Sequence, residues 1–404
     1  MKTVLRSGLL GLVLVLGVRA PAQTYDTNNV AVQTFAGSGF YGYYDGQGIW
    51  TMFNAPAAVA ADACGNLFVL DSGNSLIRKV TPDATVSTWF NFSAYSATGP
   101  MILDHSNTLW IAISYSSSVL RISSNGVMSL VTLPFSGFNA VGGLCVDSRN
   151  NLYVADAGGH KIYRLQANGV GEVFAGSGNP GAADGTWIFT SFNNPKALAA
   201  DAADNIYVWD SANRLIRRIS PSREVVTLAG NNNYYYGPDA DGVGTNAFFN
   251  TVSAMAVDSG GNLLLACGLS VRKLTPTTNV LTLAGSFDQS GYTNGPGALA
   301  RFRNAAGLCI AHGQVYVADI GDHRIREISW DAGAQPVSPA NLALNTYPGL
   351  QLTGVVGRTY RIESSTNLTD WTTETTLLLT ASPQVWIDAN GLGQKKFYRA
   401  WLLP

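Results

Sequence analysis

Charge is scarce in this sequence. Asp, Glu, Lys and Arg make up 13% of its 404 residues, against the roughly 25% that is usual for a soluble protein. Recognition of a phosphate backbone needs clustered Lys and Arg, yet the 25 basic residues here are outnumbered by 26 acidic ones. We therefore expect no nucleic-acid partner, and we expect Asn, Ser, Thr and Gly to provide the polar surface.

Signatures of catalysis and metal binding are also sparse. The sequence has no nucleophile elbow and no phosphate-binding loop. Asp239-Ala-Asp241-Gly242 begins like a calcium loop, but Val243 stands where a third ligand belongs and Asn250 where a bidentate acid is needed. The same turn pattern recurs at Asp45-Gly46, Asp184-Gly185 and Asn294-Gly295. This recurrence favours turn geometry over chelation, so we predict neither a metal nor a cofactor.

The N-terminal residues have the organisation of a secretory signal peptide. Lys2 and Arg6 precede the apolar run Gly8–Val18, and Ala20-Pro21-Ala22 places small residues at the −3 and −1 positions of a cleavage site. A membrane anchor is the alternative, but this run is much shorter than the ~20 residues of a spanning helix. We predict cleavage after Ala22 and a secreted, periplasmic or cell-surface protein without a membrane span. After cleavage the mature protein would carry 22 basic and 26 acidic residues, a net charge of −4.

A repeated unit fills most of the remaining chain. In five copies an apolar strand ends in Asp, and the sixth copy has Ala311 at that position. A turn then leads to a second strand, and a third strand contains an apolar residue followed by Arg. The Arg recurs with spacings of 43, 43, 53, 55 and 54 residues, a period that fits a four-stranded propeller blade. The six residues are Arg78, Arg121, Arg164, Arg217, Arg272 and Arg326.

The fourth strand of the unit predicts how the ring closes. Five copies are followed by a further apolar strand, and the last copy is not. The missing strand is Val30–Ala36 ahead of the first copy, which is similar to the fourth strands at 226–230 and 281–285. We therefore predict an all-β, six-bladed β-propeller at 23–330. Its N-terminal strand completes the last blade and hides an exposed edge.

The repeat resembles that of the NHL-repeat family of six-bladed propellers over residues 30–330. The clearest matches are Asp71-Ser-Gly-Asn74…Ile77-Arg78 and Asp319-Ile-Gly-Asp322-His-Arg-Ile-Arg326. The resemblance implies a fold rather than one activity, because such propellers range from extracellular binding modules to lyases and lactonases. Those enzymes depend on a His or acids with a metal at the tunnel mouth, so an enzyme of that kind is the alternative to a binding protein.

A linker at 331–339 leads to a small C-terminal β domain at 340–404. Its segments 357–371 and 396–400 are similar to a β-sandwich-like module appended to many secreted bacterial proteins. That resemblance implies an accessory role in display, attachment or assembly. A cap that stabilises the propeller is the alternative.

Residues at two fixed positions of the repeat predict packing. An aromatic nine residues before each inner-strand Asp position predicts a wedge between blades, and small inner-strand residues let six strands converge on a narrow tunnel. Cys145 and Cys309 share one inner-strand position in opposite blades. Cys64 and Cys267 lie at opposite ends of their respective blades, so we predict no disulfide. The wedge aromatics are Phe53, Tyr95, Phe138, Phe192, Phe249 and Phe302.

The loops that join successive blades provide the candidate binding site. Four are long and rich in Gly and aromatic residues, namely 37–56, 176–195, 230–251 and 285–304. Rigid aromatic faces beside Asn and Gly suit a glycan, peptide or protein ligand, although several rings could instead fold over the gaps between blades. The candidate ligand-binding residues are Tyr41, Tyr43, Tyr44, Trp50, Trp187, Lys196, Tyr234, Tyr235, Tyr236, Tyr292 and Arg303.

Amide and charged side chains also recur near the predicted tunnel mouth. Asn54, Asn139, Asn193 and Asn250 each follow a wedge aromatic, and Arg303 takes that position in the sixth copy. Capping of the loops is the alternative to a ligand role. His160 and His323 share one turn position with Ser75 and Arg214 of other copies, so we interpret them as turn residues. The favoured function is therefore recognition without catalysis.

Overall fold

The computed structural model describes residues 30–93, 97, 99–113, 116–135, 137–232 and 238–330, together with 341–344, 349–353, 359–365, 370–378, 384–387 and 397–402. These residues fall into two compact units, within 25–334 and within 335–404. No helix among them is long and apolar enough to cross a membrane. The predicted signal peptide and the linker lie outside the described residues.

The larger unit consists of six antiparallel sheets, the six blades of a β-propeller. It begins with β1 (Val30–Ala36). Blade one contains β2 (Gly46–Gln47), β3 (Pro56–Ala61), β4 (Leu67–Asp71), β5 (Leu76–Val80) and β6 (Thr85–Asn91). Blade two contains β7 (Met101–Leu103), β8 (Leu109–Ala112), β9 (Ser118–Ile122) and β10 (Met128–Thr132). Blade three contains β11 (Val141–Val146), β12 (Leu152–Asp156), β13 (Lys161–Leu165) and β14 (Gly171–Ala175).

The second half of the ring repeats this plan. Blade four contains β15 (Gly185–Thr186), β16 (Pro195–Ala200), β17 (Ile206–Asp210), β18 (Leu215–Ile219) and β19 (Glu224–Gly230). Blade five contains β20 (Gly242–Val243), β21 (Ala254–Val257), β22 (Leu263–Cys267), β23 (Ser270–Leu274) and β24 (Asn279–Gly285). Blade six contains β25 (Gly295–Pro296), β26 (Ala305–Ala311), β27 (Gln314–Asp319) and β28 (Arg324–Trp330). Short 3₁₀ turns lie at Gly48–Trp50, Ser72–Asn74, Trp187–Phe189, Gly244–Asn246 and Ile320–Asp322.

Strand β1 closes the ring, which confirms the prediction. It pairs with β28, so that Val32 lies opposite Ile328 and Gln33 opposite Glu327. Val30 and Val32 are buried in one apolar cluster with Phe302. The first strand of the unit is thereby the outer main strand of its last blade.

The turn between the first and second strands of a blade is held by its Asp. In blade one the Asp62 carboxylate accepts hydrogen bonds from the backbone N–H groups of Cys64 and Asn66, both at 2.9 Å. It also accepts one from the Asn66 side chain at 2.7 Å. Such Asp-centred turns are favoured because the side chain satisfies backbone donors locally. Equivalent turns are held by Asp104, Asp147, Asp201 and Asp258.

A fifth strand of two residues, which the sequence did not predict, lies outermost in four blades. These strands, β2, β15, β20 and β25, each begin at the Gly of a repeated Asp-Gly or Asn-Gly pair. In blade four the Asp184 carboxylate accepts from Arg217 at 2.6 Å, and the same guanidinium donates to Asp210 at 3.0 Å. The equivalent Arg78, Arg272 and Arg326 are likewise fully buried. The Asp or Asn of each repeated pair therefore accepts a hydrogen bond from the buried Arg of its own blade.

Blades two and three depart from the predicted Arg pattern. In these blades Leu120 and Tyr163 lie opposite the second strand at the position that Arg217 takes in blade four. Arg121 and Arg164 come one residue later, and neither is fully buried. A shift of one residue turns a side chain to the other face of a strand. The Arg of these two copies is therefore not equivalent to the other four.

The wedge aromatics and the cysteines take their predicted places. Phe53, Phe192, Phe249 and Phe302 are fully buried, and Phe138 packs partly buried against the cluster between blades two and three. Tyr95 lies outside the described residues. All four cysteines are free.

The smaller unit contains two three-stranded antiparallel sheets. One has the order β29-β30-β33 and the other the order β32-β31-β34. Tyr360 and Ile362 of β31 are buried, as is Ala400 of β34. The strands are β29 (Asn341–Leu344), β30 (Gly349–Thr353), β31 (Thr359–Ser365), β32 (Thr372–Leu378), β33 (Gln384–Ile387) and β34 (Phe397–Leu402).

The buried aspartates predict the pH dependence of stability. Burial raises the pKa of Asp210 to about 6, despite hydrogen bonds from Asn193 and Asn213 and the charge of Arg217. The folded state then binds this proton more tightly than the unfolded state, so the free energy of unfolding should fall by about 2 kcal/mol as pH rises from 4 to 6. Urea titrations across this range measure the slope, and Asp210→Asn should flatten it. A parent slope of the opposite sign would contradict the prediction.

Candidate functional site

The loop between β1 and β3 exposes four aromatic side chains in five residues. Tyr41 is 76% exposed and Tyr43 73%, and Phe40 and Tyr44 are exposed to a similar degree. We call Phe40–Tyr44 the aromatic loop. Side chains of this size seldom stay in solvent together without a role in recognition.

The backbone of the aromatic loop is fixed from both sides. Gly42 N–H donates to Phe53 O at 3.1 Å, and Met52 N–H donates to Tyr44 O at 3.0 Å. Gly42 O accepts from the Asn74 side chain at 2.7 Å. The rings are therefore held on an ordered support, which lowers the entropic cost of binding a ligand.

Blade four makes the same loop without any aromatic residue. Gly181 N–H donates to Phe192 O at 3.1 Å, and Ser191 N–H donates to Ala183 O at 3.2 Å. Gly181 O accepts from the Asn213 side chain at 2.7 Å. This loop has Asn179, Pro180, Ala182 and Ala183 where the aromatic loop has Phe40, Tyr41, Tyr43 and Tyr44. The backbone conformation consequently does not require the four rings.

Tyr292 extends the exposed aromatic area towards blade six. Its ring centroid lies 4.1 Å from the Arg324 guanidinium carbon, and Arg324 Nη2 donates to Ser38 O at 2.7 Å. Gly39 leaves room for this guanidinium, which a Cβ at that position would meet. We call Phe40, Tyr41, Tyr43, Tyr44 and Tyr292 together the tyrosine surface.

Arg303 lies beside this surface. Its Nε is 3.5 Å from Asp322 Oδ1, and Asp322 also pairs with Arg324 beneath Tyr292. The Arg303 side chain is 56% exposed, whereas Asp322 is buried. Of the predicted set, Arg303 and Tyr292 are thus linked through Asp322 and Arg324, and Arg324 connects them to Ser38 at the start of the loop that carries Tyr41, Tyr43 and Tyr44. Sequence reasoning missed Arg324 and Asp322, although both fall within the blade-six motif.

Trp50 and Trp187 belong to the outer part of their blades. Each belongs to a 3₁₀ turn that follows a two-residue outer strand, at the rim of its blade. Trp187 N–H donates to Arg223 O, and its indole N–H donates to Val173 O of β14. The turns also expose Ile49, Ile188 and Phe189, which the sequence analysis did not single out. Tyr234, Tyr235 and Tyr236 lie outside the described residues.

A channel of 640 Å³ runs through the centre of the ring. The first main strand of each blade has one neighbour in its sheet, so its other edge faces this channel. The wall is lined at corresponding positions of five blades by Ala57, Gly99, Gly142, Ser253 and Ala306. Lys196 takes that position in blade four and is exposed, on the opposite side of the ring from blade one.

The two histidines of the loop-rich face hold turns between blades. His323 Nδ1 accepts a hydrogen bond from Ala55 N–H at 3.0 Å, and His160 Nδ1 accepts one from Asn194 N–H at 3.1 Å. Both have positive φ, as do Ser75 and Arg214 at the same position. The Nδ1 atom of each histidine therefore serves as an acceptor for the backbone of the next blade.

Asp239 performs a structural task that blade five otherwise lacks. In blades one, three, four and six the Asp that ends the second strand accepts from the N–H after the wedge aromatic. Cys267 has replaced this Asp in blade five, and Asp239 instead accepts from Asn250 N–H at 2.6 Å. Asp241 pairs with Arg272 at 3.0 Å. Within the described part of the chain no three His, Cys, Asp or Glu side chains are grouped as metal ligands would be.

Comparison with known proteins finds likeness in structure. No protein-family model and no curated protein matches the chain. An auxiliary nutrient binding protein from Bacteroides thetaiotaomicron is 17% identical with a TM-score of 0.60, over 75% of this chain and 76% of that one. A gluconolactonase from Xanthomonas campestris is 14% identical with a TM-score of 0.51, over 74% and 90%. A streptogramin B lyase is 12% identical with a TM-score of 0.50, over 75% and 98%. At these identities the likeness shows the fold alone.

Proposed function

We propose that this protein binds a carbohydrate on the tyrosine surface and does not act as an enzyme there. The observation that carries the proposal is the comparison between blades one and four. Both loops have the same backbone hydrogen bonds. Of the two, only the loop of blade one carries four exposed aromatic residues. Since the fold does not need these rings, their role is sought in recognition.

A carbohydrate suits this surface better than a peptide strand. Extended peptides bind by adding a strand to an open sheet edge, but Gly42 N–H, Gly42 O and Tyr44 O are already paired within the protein. What the surface offers is ring faces and phenol hydroxyls. Ring faces pack on the C–H faces of sugars, and the hydroxyl groups satisfy polar atoms at their edges.

Export and the accessory domain complete the proposal. The signal-like N-terminus supports delivery outside the cytoplasm, and a protein of similar fold is an auxiliary nutrient binding protein. The Asp, turn and Arg signature supports the NHL type for the propeller. We take 340–404 as an accessory domain that displays or attaches it.

The alternative is a propeller lyase or lactonase with a metal at the channel mouth. His160 and His323 are the first candidates for such a site, but the Nδ1 atoms of both accept the hydrogen bonds that hold turns. Binding that survives a chelator supports the recognition role. Turnover of a lactone or cyclic ester that a chelator abolishes would favour the enzyme.

A graft of the blade-four loop tests the proposal. The variant Phe40→Asn/Tyr41→Pro/Tyr43→Ala/Tyr44→Ala installs residues that blade four already accommodates in this conformation. We expect a loss of binding of about 1 kcal/mol or more for each anchoring ring. The free energy of unfolding should change by only about 0.5 kcal/mol for each exposed position. A glycan array followed by calorimetric titration measures the first quantity and urea denaturation the second.

Phe189→Ala provides the matched control for the graft. Phe189 is 77% exposed but lies at the rim of blade four, so its loss should leave binding unchanged. Equal losses of binding free energy in both variants, or a graft that binds like the parent, would show that the ligand does not bind on the tyrosine surface.

A further inference from the structure

One position of the repeat carries a cation in blade six only. The residue after the wedge aromatic is Asn in blades one, three, four and five, and it is Arg303 in blade six. In each of these blades the backbone N–H of this residue donates to an Asp carboxylate, and Arg303 N–H does so to Asp319 at 3.1 Å. The backbone of this residue therefore makes the structural hydrogen bond, and that bond does not restrict which side chain the residue carries.

The Arg303 side chain is linked to Tyr292 of the tyrosine surface through Asp322 and Arg324. Its Nε contacts Asp322 at 3.5 Å, and Asp322 is already paired with Arg324, whose guanidinium supports Tyr292. The two arginines and one aspartate leave one positive charge in excess. Because Asp322 is buried and Arg303 is more than half exposed, the excess positive charge faces solvent.

We infer that the carbohydrate is acidic and contains a uronate, whose carboxylate pairs with Arg303 while its ring packs on a neighbouring tyrosine. This inference rests on the proposed function and names the ligand class of the same site. The planar guanidinium fits a carboxylate through two parallel hydrogen bonds. A lysine at this position keeps the charge but lacks that geometry.

The experiment uses the full chain with oligogalacturonate, oligoglucuronate and oligoguluronate, each compared with its methyl ester. Arg303→Asn restores the residue of the other blades and should preserve folding. We expect it to weaken binding of the acid forms about tenfold or more and to leave the methyl esters unaffected. Arg303→Lys should fall between the parent and Arg303→Asn for the acids. Thermal melting confirms that both variants are folded.

The outcomes separate this inference from the proposed function. Acid and ester forms that bind the parent equally, or neutral glycans that bind while no uronate does, overturn the uronate and leave the carbohydrate site intact. Uronate binding that the blade-four graft does not change overturns the tyrosine surface itself. Polyglutamate that binds through Arg303, with no uronate binding, replaces the carbohydrate by an acidic peptide and overturns both.

Discussion

Replacement of Arg217 by alanine should cost about 3–5 kcal/mol of folding free energy, because it breaks a buried ion pair by removing one partner. The Arg217 guanidinium donates to Asp210 and Asp184, and also to Ala183 O at 2.9 Å and Ser191 O at 3.2 Å. Its carbon lies 5.3 Å from the centre of the Phe192 ring. Loss of the side chain leaves the Asp210 carboxyl buried without its cation and opens a cavity behind the wedge aromatic.

Arg121→Ala is the matched control for Arg217→Ala. Both residues follow an apolar residue in the third strand of a blade, so the sequence around them looks alike. Arg121 is exposed and faces the other side of its strand, and its loss should change stability by about 0.5 kcal/mol or less. Equal losses by urea denaturation would show that the register of blade two has been assigned incorrectly.

Removal of β1 should prevent the ring from forming. A chain that starts at residue 37 lacks the partner of β28 and leaves the apolar cluster around Phe302 open to solvent. An open edge of this kind also pairs with other chains. We expect the truncated protein to lose cooperative unfolding in circular dichroism and to aggregate in size-exclusion chromatography.

Point variants within β1 test the closure without truncation. Val32→Asp places a charge in the buried cluster and should destabilise by several kcal/mol, whereas Gln33→Lys on the exposed face should have little effect. A truncated protein that melts like the parent, or a Val32→Asp variant as stable as Gln33→Lys, would refute the closure.

The blade architecture was predictable because each copy repeats the same local signals. Asp-centred turns and apolar runs of fixed spacing recur often enough to locate most of the main strands, including β1. The Arg pattern misled in blades two and three since one residue of register decides which face a side chain takes. Nothing in Leu120-Arg121 or Tyr163-Arg164 alone reveals that shift. The lack of a long Asp-Gly loop ahead of these two blades was the available signal.

The candidate site was predictable in part. Tyr41, Tyr43 and Tyr44 stand out because an aromatic run beside Gly has no periodicity that would bury it. Trp50 and Trp187 lie in loop segments of similar composition, yet each follows a two-residue strand that places its turn at the blade rim. A strand this short leaves no pattern in the sequence. Asp239 illustrates a further limit of sequence reasoning. It takes over the hydrogen bond made in other blades by an Asp at the position of Cys267, 28 positions later. Only the three-dimensional structure reveals this exchange.

The register of β1 also dictates an order of events during synthesis. Gln33 pairs with Glu327, 294 positions further along the chain, so the strand made first is the last to find its partner. Pairings this remote are slow to form. Until the sixth blade has emerged, an apolar strand stays unpaired and is open to pairing with other chains. A five-bladed fragment that ends before residue 300 should therefore aggregate, because β1 has no partner strand within it.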